Sequence, residues 1–102
     1  MTSVAITLTA PRTLEEKLVQ LLLDNDVAGA AGFTVREVVA YGRELDFRTV
    51  SEQIGSRIRQ IEIRLVLAAD SLPPLMEWLK SVVRDRDVSW QVMPVSASGD
   101  LG

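Results

Sequence analysis

The sequence predicts an α+β fold in which one antiparallel sheet is covered on one face by two helices. Three observations lead to this prediction. Four segments alternate apolar and polar residues with a period of two, which is typical of half-buried strands. Two further segments repeat leucine and valine at helical spacing. The chain has 102 residues, of which 47% are hydrophobic and 25% charged, and this length suits one compact domain.

The N-terminal part of the chain contains the first strand and the first helix. Residues 3–9 alternate in polarity and predict a strand. Thr13 is followed three residues later by Glu16, a capping box that predicts a helix over residues 13–24. The next residues, 26–32, are mainly alanine and glycine, and we predict a loop there.

Two more strands follow, joined by a long connection. Residues 33–41 and 58–68 alternate in polarity and predict the second and third strands. Residues 42–57 lie between them and are too many for a tight hairpin; connections of this length are usually functional. Within this connection a second capping box predicts a short helical turn, marked by Thr49, Glu52 and Gly55.

The C-terminal part repeats the helix and the strand. We predict a second helix that is capped by Asp70 or Ser71, and a fourth strand over residues 88–92. The resulting order, β-α-β-β-α-β, is the ferredoxin-like arrangement. We assign residues 1–95 to this single domain and expect a flexible C-terminal tail over residues 96–102.

Two helices can cover only one face of a four-stranded sheet, so the other face, here called the open face, is left bare. Its residues include apolar side chains that water would surround. We expect its three charged residues to neutralise one another across strands, and like subunits to cover the face by association. The predicted open-face residues are Ala5, Thr7, Arg36, Val38, Ala40, Glu62, Arg64, Val66, Gln91 and Met93.

Composition excludes several classes of function. The chain has no cysteine and no histidine, which removes disulfides, thiolate metal sites and the commonest general base. The net charge of -3 argues against a protein that coats nucleic acid or anionic lipid. The N-terminus lacks the features of a signal peptide, and no apolar stretch approaches the roughly 20 residues that span a bilayer. We therefore expect a cytoplasmic protein that is not an enzyme, binds no nucleic acid and does not insert into membranes.

One segment resembles a known family. Residues 32–43 read G-F-T-V-R-E-V-V-A-Y-G-R, which is similar to the second-strand pattern G-(F/M/L)-T-V-x-E-V-x-x-(F/Y)-G-R of PII signal-transduction proteins. Residues 49–63 and 90–99 resemble a divergent PII-like branch associated with heavy-metal efflux systems of the resistance-nodulation-division (RND) type. The resemblance implies a homotrimer with small ligands in the clefts between subunits. It also makes residues 42–57 the T-loop, which docks on a partner such as a membrane transporter.

The resemblance further implies which residues bind the ligand. In the family, the segment at the start of the second strand approaches adenine, and the glycine-arginine pair at the T-loop entrance contacts phosphate. From the residues alone, Arg57 and Arg59 share one face at the start of the third strand, and we expect them to form salt bridges with Glu44, Asp46 or Glu52 or, alternatively, to close on an anion or a partner. The expected ligand is an adenine nucleotide or another anion. The candidate ligand-binding residues are Gly32, Phe33, Thr34, Gly42, Arg43, Arg57 and Arg59.

Two departures from the PII pattern leave alternatives open. Glu44 stands where the family has glutamine, and residues 84–87 lack the glycines of the family's phosphate loop. One alternative is a divalent-cation-binding trimer similar to the cation tolerance proteins, with carboxylate ligands from Glu44, Asp46 and Glu52. Another is an interaction module that binds no small molecule.

Overall fold

The structure of the chain, a computed structural model, describes residues 2–42, 53–54 and 57–102, with the backbone alone described at 53 and 54. Short 3-10 turns precede two of its helices. Along the chain, the elements are β1 (Ser3–Pro11), α1 (Glu15–Asp24), α2 (Asp26–Ala31), β2 (Thr34–Tyr41), β3 (Gln53–Ile54), β4 (Arg57–Ala68), α3 (Leu72–Val82) and β5 (Ser89–Val95).

The four long strands form one antiparallel sheet in the order β2-β4-β1-β5. The two-residue strand β3 pairs with the start of β4. Each half of the chain contributes one central strand and one edge strand, with its helices in between. The predicted α+β, ferredoxin-like fold is therefore confirmed.

The helices pack on one face of the sheet, and the apolar core lies between the two layers. Leu18 and Leu22 of α1 and Leu75 of α3 are at most 2% exposed. Full burial of one such side chain stabilises the fold by about 1.5–3 kcal/mol. The strand residues of the core all lie on the helix side of the sheet: Ile6, Leu8, Ala10, Ile61, Ile63, Leu65 and Leu67.

The segment after α1 is a second short helix, so the loop predicted over residues 26–32 is wrong. The side-chain oxygen of Asn25 accepts hydrogen bonds from the backbone N–H groups of Val27 and Ala28, at 3.0 and 2.9 Å. This cap satisfies two of the donors that a helix start leaves unpaired. Gly32 ends the helix with a positive φ of 77°.

The predicted side-chain caps of the longer helices are absent. The chain enters α1 through a 3-10 turn in which the N–H of Glu15 donates to the carbonyl of Arg12, and Thr13 makes no capping bond. Ser71 makes no side-chain cap at α3 either. Because two prolines occupy the first turn of α3, two of the N–H groups that a cap would satisfy do not exist.

Most of the predicted T-loop, residues 42–57, lies outside the described residues. Within it, Gln53–Ile54 is a strand rather than part of a helical turn. Thr49, Glu52 and Gly55 lie outside the described residues. At the other end of the chain, the residues that follow β5 form neither helix nor strand. No helix among the described residues is long and apolar enough to cross a membrane.

Candidate functional site

The open face has a polar centre between apolar ends. Residues paired across antiparallel strands project from the same face, so the register defines rows that run across the sheet. At one end Met93 is 62% exposed. From that end to the other, the rows are Val95 with Ser3 and Ala68, then Met93 with Ala5 and Val66, then Gln91 with Thr7, Arg64 and Thr34, then Ser89 with Thr9, Glu62 and Arg36, then Val38 with Gln60 and Pro11, and last Ala40 with Ile58.

One ion pair occupies the centre of the open face. Arg36 on β2 lies directly opposite Glu62 on β4. The Nε and Nη2 atoms of Arg36 donate to the same oxygen, Oε1, of Glu62, at 2.8 and 2.6 Å. The side chain of Arg36 is 74% exposed and that of Glu62 only 28%. The carboxylate of Glu62 is thus paired with the arginine on the neighbouring strand.

Arg64 is not part of this pair. It lies two residues beyond Glu62 on the same strand, is exposed, and has no ion-pair or hydrogen-bond partner within residues 2–42 and 57–102. The expectation that the three open-face charges neutralise one another is correct only for Arg36 and Glu62. Among the described residues, the open face therefore carries one positive charge without a carboxylate partner, although the whole chain has a net charge of -3.

A shallow groove lies over the polar rows. Its volume is about 480 Å³, and its walls combine both arginines with hydroxyl and amide groups. Thr7 and Thr34 stand on the two strands that flank Arg64, each directly opposite it in the register. The groove is thus rich in hydrogen-bond donors. Its lining residues are Thr7, Thr34, Arg36, Glu62, Arg64 and Gln91.

The first group of predicted ligand residues lies where β2 begins. Gly32 has φ and ψ of 77° and 159°, a conformation that is essentially restricted to glycine. Phe33 packs against the apolar core from a half-buried position. Thr34 is exposed and lies on the open face beside Arg64. Of these three residues, only Thr34 places its side chain in the groove.

The second group lies at the opposite end of β2. Gly42 directly follows the strand, and Arg43 lies outside the described residues. The strand has eight residues, which corresponds to roughly 26 Å at about 3.3 Å per residue. One chain therefore does not bring Thr34 and Gly42 together.

Arg57 and Arg59 lie near Gly42 but on the helix side of the sheet. They pair with Tyr41 and Val39, where the sheet extends past the helices. Nη1 of Arg57 donates to the hydroxyl of Tyr41 at 3.3 Å. Tyr41 is 68% exposed and Val39 is 48% exposed, so this projecting part of the sheet is accessible. The prediction that the two arginines share one face is confirmed.

A second, looser ion pair lies next to this projecting part. Nη1 of Arg12 is 3.6 Å from Oε1 of Glu37, and both side chains are well exposed. Together with Val39 and Arg59 they line a groove of about 290 Å³. Within the described residues, Arg57 and Arg59 have no carboxylate partner.

The described residues contain no cluster of three or more acidic residues that could hold a metal ion. The carboxylates proposed as cation ligands, Glu44, Asp46 and Glu52, lie outside the described residues. The polar groups that line the two grooves are mainly arginine, hydroxyl and amide groups, together with the carboxylates of Glu62 and Glu37.

Sequence reasoning did not single out Arg64 as a binding residue. Its position in an alternating strand shows that it lies on the open face. Because this face has two arginines and one glutamate, one arginine is left without a carboxylate partner on the face. Which arginine remains free depends on the register, because only the register places Arg36 directly opposite Glu62.

Comparison with known proteins gives a family and a fold. A family model described as "Protein of unknown function (DUF3240)" matches residues 1–102. The crystal structure of a DUF3240 family protein from Shewanella baltica OS155 is similar, with a TM-score of 0.75 and 16% sequence identity, over 100% of this chain and 99% of that one. A Bacillus cereus protein related to NIF3 has a TM-score of 0.65 and 15% identity, over 96% of this chain and 27% of that one. No curated protein has a significant match to this chain.

Proposed function

This chain belongs to the DUF3240 family, and we propose that it is a homotrimeric, PII-like regulatory protein that binds a small anion in the clefts between subunits. The ligand class is an adenine nucleotide or another anion of similar charge. The T-loop, residues 42–57, contacts a partner protein and changes its conformation when the ligand binds. By resemblance, that partner is a membrane transporter, and for this branch a heavy-metal efflux pump.

The observation that carries the proposal is the separation of the two groups of ligand residues. Thr34 and Gly42 lie at opposite ends of one extended strand, roughly 26 Å apart at about 3.3 Å per residue. A small ligand that touches both groups therefore needs the start of β2 from one copy and the end of β2 from another. This requirement supports a site between subunits.

The open face supports association of like subunits. Met93 is 62% exposed at one end of it, and Val38 and Ala40 are half-buried at the other. Apolar side chains on a sheet face with two free edges favour burial against another copy. Each subunit presents the same rows, so a closed ring of copies can cover all of these faces alike.

The positive charge near Gly42 supports an anionic ligand. Arg57 and Arg59 lie on one face of β4 next to the end of β2, and Arg43 adds a third guanidinium group in sequence. Guanidinium groups grip phosphate bidentately. Binding there shifts the population of T-loop conformations and so changes which partner surface the loop fits. This mechanism requires binding alone and no catalytic step.

The test combines mass and calorimetry. Light scattering should report three times the 11.2 kDa of one chain, and titration with ATP, ADP and AMP should give binding heats for at least one nucleotide. Arg43→Ala should lose most of the heat, while Lys17→Ala, which removes an exposed positive charge on α1, should keep it. A particle of 11.2 kDa at all concentrations, or equal heats from both variants, would contradict the proposal.

The cation-binding alternative is separated by a second measurement. The protein is dialysed against copper, zinc and cobalt in turn, and the bound metal is then counted by elemental analysis. One metal ion per chain, lost in Glu44→Gln, together with no nucleotide heat, would replace the anion proposal by the cation one.

A further inference from the structure

We propose that the polar centre of the open face binds a phosphate group, at a site formed by Arg64 with Thr7, Thr34 and Gln91. This site shares Thr34 with the proposed cleft but needs only one chain, so it goes beyond the function proposed above. The phosphate is either inorganic phosphate or the phosphate of a nucleotide.

The first argument is charge. The open face has two arginines and one glutamate, and Glu62 gives its Oε1 atom to Arg36 at 2.8 and 2.6 Å. Arg64 lies two residues further along β4, about 6.6 Å away at about 3.3 Å per residue, and it has no partner within the described residues. The groove thus presents a net positive charge on a chain that is acidic overall. An anion is the class of ligand that such a groove attracts.

The second argument is the placement of the neutral donors. Thr7 and Thr34 lie directly opposite Arg64 on its two neighbouring strands, where paired Cβ atoms are about 4.5–5.5 Å apart. Gln91 follows Thr7 in the same row. Hydroxyl and amide N–H donors therefore lie beside the guanidinium group of Arg64.

This donor set favours a tetrahedral oxoanion. Five guanidinium N–H groups, two hydroxyls and an amide offer far more donors than a halide uses, and they match an anion with several oxygen acceptors. The groove, of about 480 Å³, accommodates such an anion with water around it. The register allows Arg64 to bind the phosphate with two N–H groups while the hydroxyl groups on the two neighbouring strands donate to it from either side.

The site also bears on assembly, and this step rests on the proposed function. If other copies cover the open face, Arg64 is withdrawn from water, and an unpaired buried charge is strongly unfavourable. A bound phosphate removes that penalty. Assembly should therefore be tighter in phosphate than in chloride.

The test compares melting temperatures in sodium phosphate and in sodium chloride of equal ionic strength. For the wild type, phosphate at tenfold its dissociation constant should raise the melting temperature by about 4 °C or more. Arg64→Gln should weaken phosphate binding about tenfold or more. Arg64→Lys keeps the positive charge but loses the bidentate guanidinium group, so its affinity for phosphate should lie between those of the wild type and of Arg64→Gln. Lys17→Gln is the matched control: it removes an exposed positive charge on α1, away from the open face, and should behave as the wild type.

AMP is titrated in parallel to identify the source of the phosphate. An Arg64-dependent shift with inorganic phosphate identifies the free anion as a sufficient ligand, and an Arg64-dependent shift with AMP alone identifies the nucleotide. Equal shifts in the wild type and in Arg64→Gln, or no shift of the wild type with either ligand, overturn the proposal. These outcomes are independent of the calorimetry on Arg43→Ala, so failure of this site and failure of the proposed cleft are distinguishable.

Discussion

Arg36 and Glu62 face each other across β2 and β4, and two nitrogen atoms of Arg36 donate to a single oxygen of Glu62, at 2.8 and 2.6 Å. The pair links an edge strand to a central strand. It also decides the charge of the open face, because it occupies the face's only carboxylate among the described residues and leaves Arg64 without one.

Replacing Glu62 with glutamine should strengthen phosphate binding at the open face. The change releases Arg36 and raises the net positive charge of the groove. The loss of stability should be small, about 0.2–1 kcal/mol, because the arginine side chain is 74% exposed. Urea unfolding and a phosphate titration measure the two effects. Glu77→Gln, on the exposed side of α3, is the control that should leave the phosphate affinity unchanged, and an unchanged affinity in Glu62→Gln would contradict the proposed groove.

Gly32→Ala should destabilise the fold through its backbone alone. Gly32 has a φ of 77° and a ψ of 159°, and a Cβ built there would meet no atom within 4 Å. The expected loss is about 1–3 kcal/mol, the usual strain of a side chain in this region. Gly99→Ala, where an added Cβ also meets nothing, should leave the unfolding midpoint in urea unchanged. Equal midpoints for the two variants would contradict the assigned conformation.

Asn25→Ala should remove the cap of α2. The side chain of Asn25 accepts from the N–H groups of Val27 and Ala28, at 3.0 and 2.9 Å, and loss of such a cap costs about 1 kcal/mol. Asn25→Asp keeps the accepting oxygen and should unfold at nearly the wild-type urea concentration. If the alanine and aspartate variants unfold together, the cap does not stabilise the helix.

The residues of the core and of the two sheet faces could be predicted from the sequence. Side chains of a strand point alternately to its two faces, and the face that carries the apolar residues is the one that packs against the helices. Ile6 and Leu65 illustrate this: both lie on the apolar side of alternating segments, and the register pairs them in the core. The helix α2 was not predictable by the same means. Its six residues are too few for an apolar stripe, and its start depends on two backbone N–H groups that donate to one asparagine side chain.

The candidate site was predictable only in its parts. Motif resemblance pointed to Thr34 and Gly42, and the strand predicted over residues 33–41 already places them at its two ends, where the structure has them. The sequence could not show which arginine pairs with Glu62, because both are candidates: Arg64 lies two residues further along the same strand, and Arg36 lies on the neighbouring strand. Only the register shows that Arg36 stands directly opposite Glu62 and that Arg64 does not pair with it. Such a choice is set by pairing geometry and not by composition.

Met93→Glu should dissociate the proposed trimer without unfolding the chain. Met93 is 62% exposed on the open face, next to Ala5 in the register, so a carboxylate there is harmless in a monomer and unfavourable once other copies bury it. Leu23→Glu is the matched control, because Leu23 is 56% exposed on α1, in the helix layer. Light scattering should give the mass of one chain for Met93→Glu and of three for Leu23→Glu, with equal circular dichroism. A trimer in both variants would mean that another surface joins the subunits.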